Sequence, residues 1–376
     1  MIFMENGIVS AASSTPTLQG DKETGRQGDK EPEDPGTFWF SLSPCLLVSL
    51  SWGESFDRTS IALATTGDIV KKFLLSLTAL SLVVGTAFLS SANQEAKTPS
   101  YRAVPSGLKL PDGFVFANIT GIATDANDRL YVYHGGKTPI VVFDKNGAFI
   151  RGWGAGLVKS SHYIRVDPEG YVWTTDRGHH IVVKYDPTGK VLLTLGTKDK
   201  PGESETQFNI PADIAFAPNG DVYVADGYGN SRVVQFSKDG KFLRAWGKRG
   251  KGPGDFNLPH AIFYDDKTNQ VFVCDRSNKR VQIFDAQGKF LTQWNNIGTP
   301  YGLFVHKGEH VFLSDGAGNA VRKLDLKGMT LARWGSKGKE AGQFENAHGI
   351  CVDSRGTVYV AEGTGKRIQK FVAVNE

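Results

Sequence analysis

Short runs of β-branched and aromatic residues alternate with clusters of Asp, Asn and Gly along the chain from about residue 101 onward. The pattern is clearest from Leu258 to Trp294, in the stretch LPHAIFYDDKTNQVFVCDRSNKRVQIFDAQGKFLTQW. It predicts four short strands joined by tight turns, at residues 259–264, 270–274, 280–284 and 289–294. A lone four-stranded meander cannot bury both of its faces, so it needs neighbours of the same kind.

The same pattern recurs with a period of roughly forty to fifty residues, which is typical of a β-propeller. Five complete units are predicted, at residues 119–153, 161–196, 210–246, 258–294 and 299–334. A sixth begins at Asn346 and stops at Phe371 after three strands. Because an open ring would leave an exposed strand edge, we expect residues 101–116 to supply the missing outer strand. The predicted fold is therefore all-β, a six-bladed β-propeller of repeats closed by an N-terminal strand.

The composition agrees with such a fold and narrows the classes of function. Glycine accounts for 44 of the 376 residues and aromatic residues for 11%, as suits an all-β protein with many turns. The formal net charge of +4 comes without a concentrated basic run, so we expect no nucleic-acid partner. The three cysteines (Cys45, Cys274 and Cys351) are too few for a disulfide framework, and the last two fall in predicted strands as core residues.

The stretch before the repeats has the three parts of a secretory signal. A short basic start, an apolar run and a set of small residues follow one another within residues 70–92. The expected organisation is an unstructured segment or gene-model extension at 1–68, a signal peptide at 69–96 and the propeller at 101–376. It predicts a secreted or periplasmic protein that meets a membrane only through its export signal. A cytoplasmic protein with an internal apolar segment is the alternative.

Two of the units carry a motif that resembles the NHL repeat. Tyr223-Val-Ala-Asp226 is followed by Asn-Ser-Arg-Val-Val-Gln-Phe at residues 230–236, and Phe272-Val-Cys-Asp275 by Asn-Lys-Arg-Val-Gln-Ile-Phe at 278–284. The resemblance extends over nearly all of the chain from residue 119 to 371. It implies a propeller, but one such scaffold serves binding modules and enzymes alike.

Aligning the six first strands brings one position of each unit to the same level of the central channel. The six residues at this position are Thr120, His162, Ala212, His260, Tyr301 and His348. Histidine thus occupies every second blade, and alternate blades of a six-fold ring are about 120° apart. Three neutral imidazoles with an open fourth position form the ligand set of a catalytic zinc site. The sequence predicts zinc, or another divalent metal, bound by these three histidines; the alternative is that they merely pack the channel.

This constellation resembles the peptidyl-α-hydroxyglycine α-amidating lyases, an NHL-type family whose propeller holds a catalytic zinc through three histidines. The resemblance implies cleavage of the N–C bond of a peptidyl-α-hydroxyglycine, giving a peptide amide and glyoxylate. It assigns the role of the family's catalytic tyrosine to Tyr228 and that of a catalytic arginine to Arg276. A tyrosinate would take the hydroxyl proton, and the guanidinium would hold the carboxylate.

The sequence departs from this family in blade one, where a further active-site arginine is expected. Gly135 stands in its place. His134 and Lys137 nearby are the candidates to substitute for the arginine, although neither offers a planar fork. Arg177 in blade two parallels Arg276 and is expected to line the same face.

Two structural features of the family are also missing. Gly349 stands where an aspartate would help to hold a structural calcium, which makes calcium doubtful here. Gly229 and Asn209 occupy two of the positions of the family's disulfide cysteines.

The resulting functional hypothesis is an exported, metal-dependent, lyase-like propeller that cleaves a C–N bond in a peptidyl-α-hydroxyglycine or a similar small hydroxylated substrate. The alternative is a non-catalytic NHL binding or scaffold protein of the cell envelope, with a protein ligand on one face. A lactonase-type propeller fits less well, because carboxylates and asparagines surround the metal in that class.

Overall fold

A computed structural model of the chain describes residues 101–374, which form 26 strands and one short 3-10 helix. The predicted extension at 1–68 and the predicted signal peptide at 69–96 lie outside the described residues. In the described range, no helix has the length and apolarity that crossing a bilayer would require.

Six four-stranded antiparallel sheets form the blades of a propeller. Strand β1 is Tyr101–Val104. Blade 1 consists of β2 (Ile119–Thr124), β3 (Leu130–His134), β4 (Ile140–Phe143) and β5 (Phe149–Trp153), and blade 2 of β6 (Ser161–Val166), β7 (Val172–Asp176), β8 (Ile181–Tyr185) and β9 (Val191–Leu195). Blade 3 consists of β10 (Asp213–Phe216), β11 (Val222–Asp226), β12 (Arg232–Phe236) and β13 (Phe242–Trp246), and blade 4 of β14 (Pro259–Asp265), β15 (Gln270–Asp275), β16 (Arg280–Asp285) and β17 (Phe290–Trp294), with the 3-10 turn at Arg276–Asn278.

The remaining strands complete the ring. Blade 5 consists of β18 (Pro300–His306), β19 (His310–Asp315), β20 (Ala320–Leu324) and β21 (Thr330–Trp334). A short parallel pair follows, β22 (Ser336–Lys337) and β23 (Gln343–Phe344). Blade 6 has β24 (Ala347–Val352), β25 (Val358–Glu362) and β26 (Ile368–Ala373). The predicted all-β class and the six-bladed architecture are confirmed.

The ring closes through the N-terminal strand, as the truncated sixth unit predicts. Strand β1 pairs antiparallel with β26, with Tyr101 opposite Ala373. The Tyr101 ring stacks on Trp334 of blade 5, with centroids 4.2 Å apart. Farther along the same segment, Phe116 is buried in the core between blades 1 and 6. The segment therefore contributes both a strand and apolar packing.

Deleting residues 101–116 should markedly lower the melting temperature. The deletion exposes the edge of β26 and removes the buried Phe116 ring, and losing one buried aromatic side chain typically costs about 3–5 kcal/mol. For a domain of this size that corresponds to a fall of roughly 10 °C, measured by calorimetry. A chain that starts at residue 99 and keeps the strand is the matched control. Equal melting temperatures for the two chains would reject the closure.

The Asp and Arg of the NHL motif have a structural role in this fold. Asp275, at the end of β15, accepts a hydrogen bond from Arg280 Nε at 2.8 Å, and the other guanidinium nitrogens of Arg280 donate to carbonyls of the linker at residues 247–256. Asp226 and Arg232 repeat this arrangement in blade 3. The pairs fix the linkers between blades.

A buried ion pair lies in the channel below the level of the histidines. Arg165 donates to both carboxylate oxygens of Asp213, at 3.0 and 2.5 Å, and Asp213 is fully buried. Arg165 also donates to the carbonyl of Leu303 at 3.3 Å, and Asp213 accepts the amide of Ile262 at 3.0 Å. These contacts connect the inner strands of blades 2, 3, 4 and 5.

Candidate metal centre

The three predicted ligands occupy the second position of their inner strands, β6, β14 and β24. In each strand the pairing register with the next strand shifts just where the histidine lies, between Ser161 and Ile164 in the first case. Such an irregularity re-aims a side chain relative to a regular ladder. Each histidine thereby leaves the blade face and contacts the other two.

His162, His260 and His348 form a nearly equilateral group. Their ring centroids are 4.8, 5.0 and 5.0 Å apart, and one ring nitrogen from each lies within 4.8 Å of the others. All three side chains are buried. The repeat position identified in the sequence therefore brings these residues together.

Backbone carbonyls of the intervening blades fix the orientation of each ring. Each histidine places Nδ1 at 2.6–2.7 Å from the carbonyl of the equivalent residue in the next blade; the pairs are His162 with Ala212, His260 with Tyr301, and His348 with Thr120. A carbonyl only accepts, so Nδ1 carries the hydrogen and Nε2 keeps its lone pair. This second layer of hydrogen bonds is what metal-binding histidines usually have. All six positions of the ring thus contribute, three by side chain and three by backbone.

The surroundings keep the imidazoles neutral. Burial lowers the pKa of His162 and His260 well below the ordinary value, and the neighbouring imidazoles act in the same direction. Burial also lowers the pKa of His348 to about 4, against the raising effect of its bond to Thr120. Three neutral rings with free Nε2 atoms are the form that binds a divalent cation.

The donors present around the triad do not satisfy these lone pairs. Tyr228 Oη lies 3.1 Å from Nε2 of His162 and 2.9 Å from Nε2 of His260, but a hydroxyl has one hydrogen to donate. His348 Nε2 has no hydrogen-bond partner among residues 101–374. At least two of the three Nε2 lone pairs therefore lack a donor, and a metal ion held by the three Nε2 atoms would satisfy them together. The residues present fit zinc or a similar cation.

Tyr228 and Arg276, the predicted catalytic pair, both lie at this centre. Arg276 Nη1 donates to Tyr228 Oη at 3.1 Å, and the Arg276 guanidinium rests on the ring of Tyr301 at 4.3 Å. Burial raises the pKa of Tyr228, while the charges of Arg276 and Arg177 act to lower it. Arg177 also lies beside this group, with its guanidinium carbon 4.2 Å from the Tyr228 ring centroid.

The two candidates beside Gly135 do not reach the centre. His134 is buried against Phe114 and Phe116, where its Nδ1 accepts two backbone amides and its Nε2 donates to the carbonyl of Thr138. Its role is to hold the blade-one loop. Lys137 is exposed in that loop.

The sequence did not predict the backbone carbonyls that bind the Nδ1 atoms of the three histidines. Any residue type can supply a carbonyl, so only the position within each repeat points to them.

Comparison with known proteins first defines the class. A family model described as a 6-bladed beta-propeller matches residues 202–296, and an NHL repeat model matches residues 344–371. The virginiamycin B lyase of Staphylococcus aureus has a similar fold, with a TM-score of 0.52 over 73% of this chain and 100% of that chain at 16% identity. The chain is a six-bladed β-propeller, and its last blade matches the NHL repeat.

The predicted resemblance to amidating lyases is also confirmed. The chain is 40% identical over 105 residues to a probable peptidyl-alpha-hydroxyglycine alpha-amidating lyase of Caenorhabditis elegans, covering 28% of this chain and 30% of that protein. It is 34% identical over 162 residues to the peptidylglycine alpha-amidating monooxygenase of Rattus norvegicus, covering 36% of this chain and 17% of that protein. The chain thus spans less than a third of the length of either relative.

Proposed function

We propose that this chain is an exported, metal-dependent lyase that cleaves the C–N bond of a peptidyl-α-hydroxyglycine or a similar small hydroxylated substrate. One observation carries the proposal: the three unprotonated Nε2 atoms, the Tyr228 hydroxyl and the Arg276 guanidinium converge on one point at the channel mouth. The similarity to named amidating lyases supports the choice of reaction. The positive charge at the channel mouth favours a substrate that carries a carboxylate.

The roles of the residues follow from their chemistry. His162, His260 and His348 would hold the cation, which when bound supplies Lewis-acid polarisation of the substrate hydroxyl. Tyr228 would take the hydroxyl proton at Oη in its phenolate form, which the two guanidinium groups beside it stabilise against the opposing effect of burial on its pKa. The C–O bond becomes a carbonyl, the C–N bond breaks, and the nitrogen takes up a proton. Arg276 uses its remaining N–H groups to bind the carboxylate of the glyoxylate that leaves.

The reaction is tested by release of glyoxylate and of a peptide amide from an N-acylated α-hydroxyglycine peptide. Metal-replete protein should release both products in equal amounts, and chelation should stop the release. Absence of either product from metal-replete protein would end the lyase proposal. The alternative, a scaffold protein of the cell envelope, would then remain.

Replacing Tyr228 by phenylalanine should lower kcat by about 100-fold or more, the usual size of a general-base contribution. Metal content should not change, because the ring stays and only the hydroxyl is lost. Tyr171→Phe is the matched control, since Tyr171 lies beyond the opposite end of β6 from His162. Full activity in Tyr228→Phe would remove this residue from the mechanism.

A further inference from the structure

A pocket of about 240 Å³ lies beside the triad, between blades 1 and 2. Its inner wall includes Thr120 and Ser161, which neighbour His348 and His162 in the ring of inner strands. Gly135 and Gly136 form the outer wall, and Arg177 closes one side. The pocket is therefore next to the candidate centre and shares Arg177 with it.

Arg177 is half-buried, and unlike the three buried arginines it has no hydrogen-bond acceptor among residues 101–374. Its Nε atom is buried without a hydrogen-bond partner, and within residues 101–374 no carboxylate lies within salt-bridge distance of its guanidinium. Arg165, Arg232 and Arg280 are by contrast each paired with an aspartate. A buried donor without an acceptor is costly, so the site favours a ligand that brings an anionic oxygen.

No other charged group of the pocket competes for such a ligand. The ammonium of Lys159 donates a hydrogen bond to Asp199 Oδ1 at 3.0 Å, and His179 binds the same carboxylate oxygen. His134 has both ring nitrogens occupied by backbone groups of its own loop. The pocket lining contains no carboxylate among the described residues. Among the described residues that line the pocket, Arg177 is the one cation without a paired carboxylate.

The position of Arg177 in the repeat explains why this space exists. Arg177, Arg276 and Gly135 each follow directly after the second strand of their blade. At Gly135 a Cβ would meet nothing within 4 Å, whereas at the equivalent Gly227 it would collide with the carbonyl oxygen of Pro259. The side chain missing at Gly135 leaves room in front of Arg177 that the fold does not fill.

We infer that this pocket is a subsite for a second carboxylate of the substrate, bound by Arg177, in addition to the carboxylate bound by Arg276. The inference rests on the proposed function and adds a substrate class: a dianion, such as a peptide with an acidic side chain before the reacting residue. The two guanidinium groups both lie beside Tyr228, at 4.2 and 5.5 Å from its ring centroid. Arg177 lines the pocket and Arg276 does not, so a dianion bound by both arginines places one charge in the pocket and the other at the triad.

Binding of unreactive peptides tests the subsite without catalysis. Calorimetry on the protein as purified would compare N-acetyl-glutamyl-glycine with N-acetyl-glutaminyl-glycine, which differ only in the side-chain charge. The acidic peptide should bind about tenfold more tightly, as expected for one added charge-assisted hydrogen-bond pair. The preference should disappear in Arg177→Met and in Gly135→Met, which fills the pocket and leaves Arg177 in place. Lys137→Met removes the same charge from a side chain outside the pocket and should keep the preference.

Equal affinities in the wild type, or the same preference in Arg177→Met, would overturn the subsite. Loss of the preference in Lys137→Met would overturn it too, because a general charge effect would then explain the binding. The corresponding α-hydroxyglycine peptides separate this inference from the proposed function. Turnover of both peptides at equal kcat/KM would reject the subsite and keep the lyase. A binding preference that depends on Arg177, with no turnover of either peptide, would keep the subsite and reject the lyase.

Discussion

Wild-type protein purified without chelators is expected to contain about one divalent metal ion per chain, and His260→Ala to contain almost none. Three neutral imidazoles form the complete protein ligand set, so removing one leaves two ligands and an enlarged opening. Elemental analysis measures both contents. His306→Ala is the matched control, because His306 lies at the far end of its inner strand in blade 5 and has no part in the triad. Absence of metal from the wild type would end the enzyme proposal.

A thermal measurement separates metal loss from misfolding in the same variants. A cation that binds only the folded state stabilises it, so EDTA should lower the melting temperature of the wild type. His260→Ala should melt at the same temperature with and without EDTA. If EDTA shifts both proteins equally, the effect does not come from the triad, and the three histidines pack the channel as apolar spacers would.

The fold was predictable because the local sequence of each blade predicts the strands of that blade. The stretch around His260 predicts strands at 259–264, 270–274, 280–284 and 289–294, and the structure has them within one residue at each end. The alternation of side chains and the turns between strands are local signals, so the strands of each blade can be predicted without reference to the other blades. Closure by the N-terminal strand was also predictable, because a sixth unit with three strands must take its fourth from elsewhere.

Of the candidate site, only the features that follow from the position of a residue within its repeat were predictable. Phase places His162, His260 and His348 at one level, and it places Arg177 parallel to Arg276. It does not show which side chains have partners, because that depends on contacts between residues far apart in sequence. His134 is a clear case: the sequence leaves it as a candidate, but its ring is taken up by backbone groups of its own loop. The sequence shows that Gly135 lacks a side chain, but not that the space in front of Arg177 stays empty.

The channel ion pair gives the largest stability effect that we expect from a single substitution outside the triad. Asp213→Ala should destabilise the protein by about 3–5 kcal/mol, because the Arg165 guanidinium would remain buried without its counterion. The melting temperature should fall by roughly 10 °C. Burial raises the pKa of Asp213 even though Arg165 acts to lower it, which indicates how costly desolvation is at this place.

Replacing both partners by apolar residues separates the cost of an unpaired charge from the loss of packing. The double variant Arg165→Met with Asp213→Leu should recover much of the stability lost in Asp213→Ala, since no charge is then left in the channel. Lys159→Met breaks an exposed pair with Asp199 and should change stability by less than about 1 kcal/mol. If the double variant is as unstable as the single one, the pair holds blades 2 to 5 together through its hydrogen bonds to the Ile262 and Leu303 backbone rather than through its charge. The recovery in the double variant therefore decides whether the centre of this propeller needs an ion pair or only a filled channel.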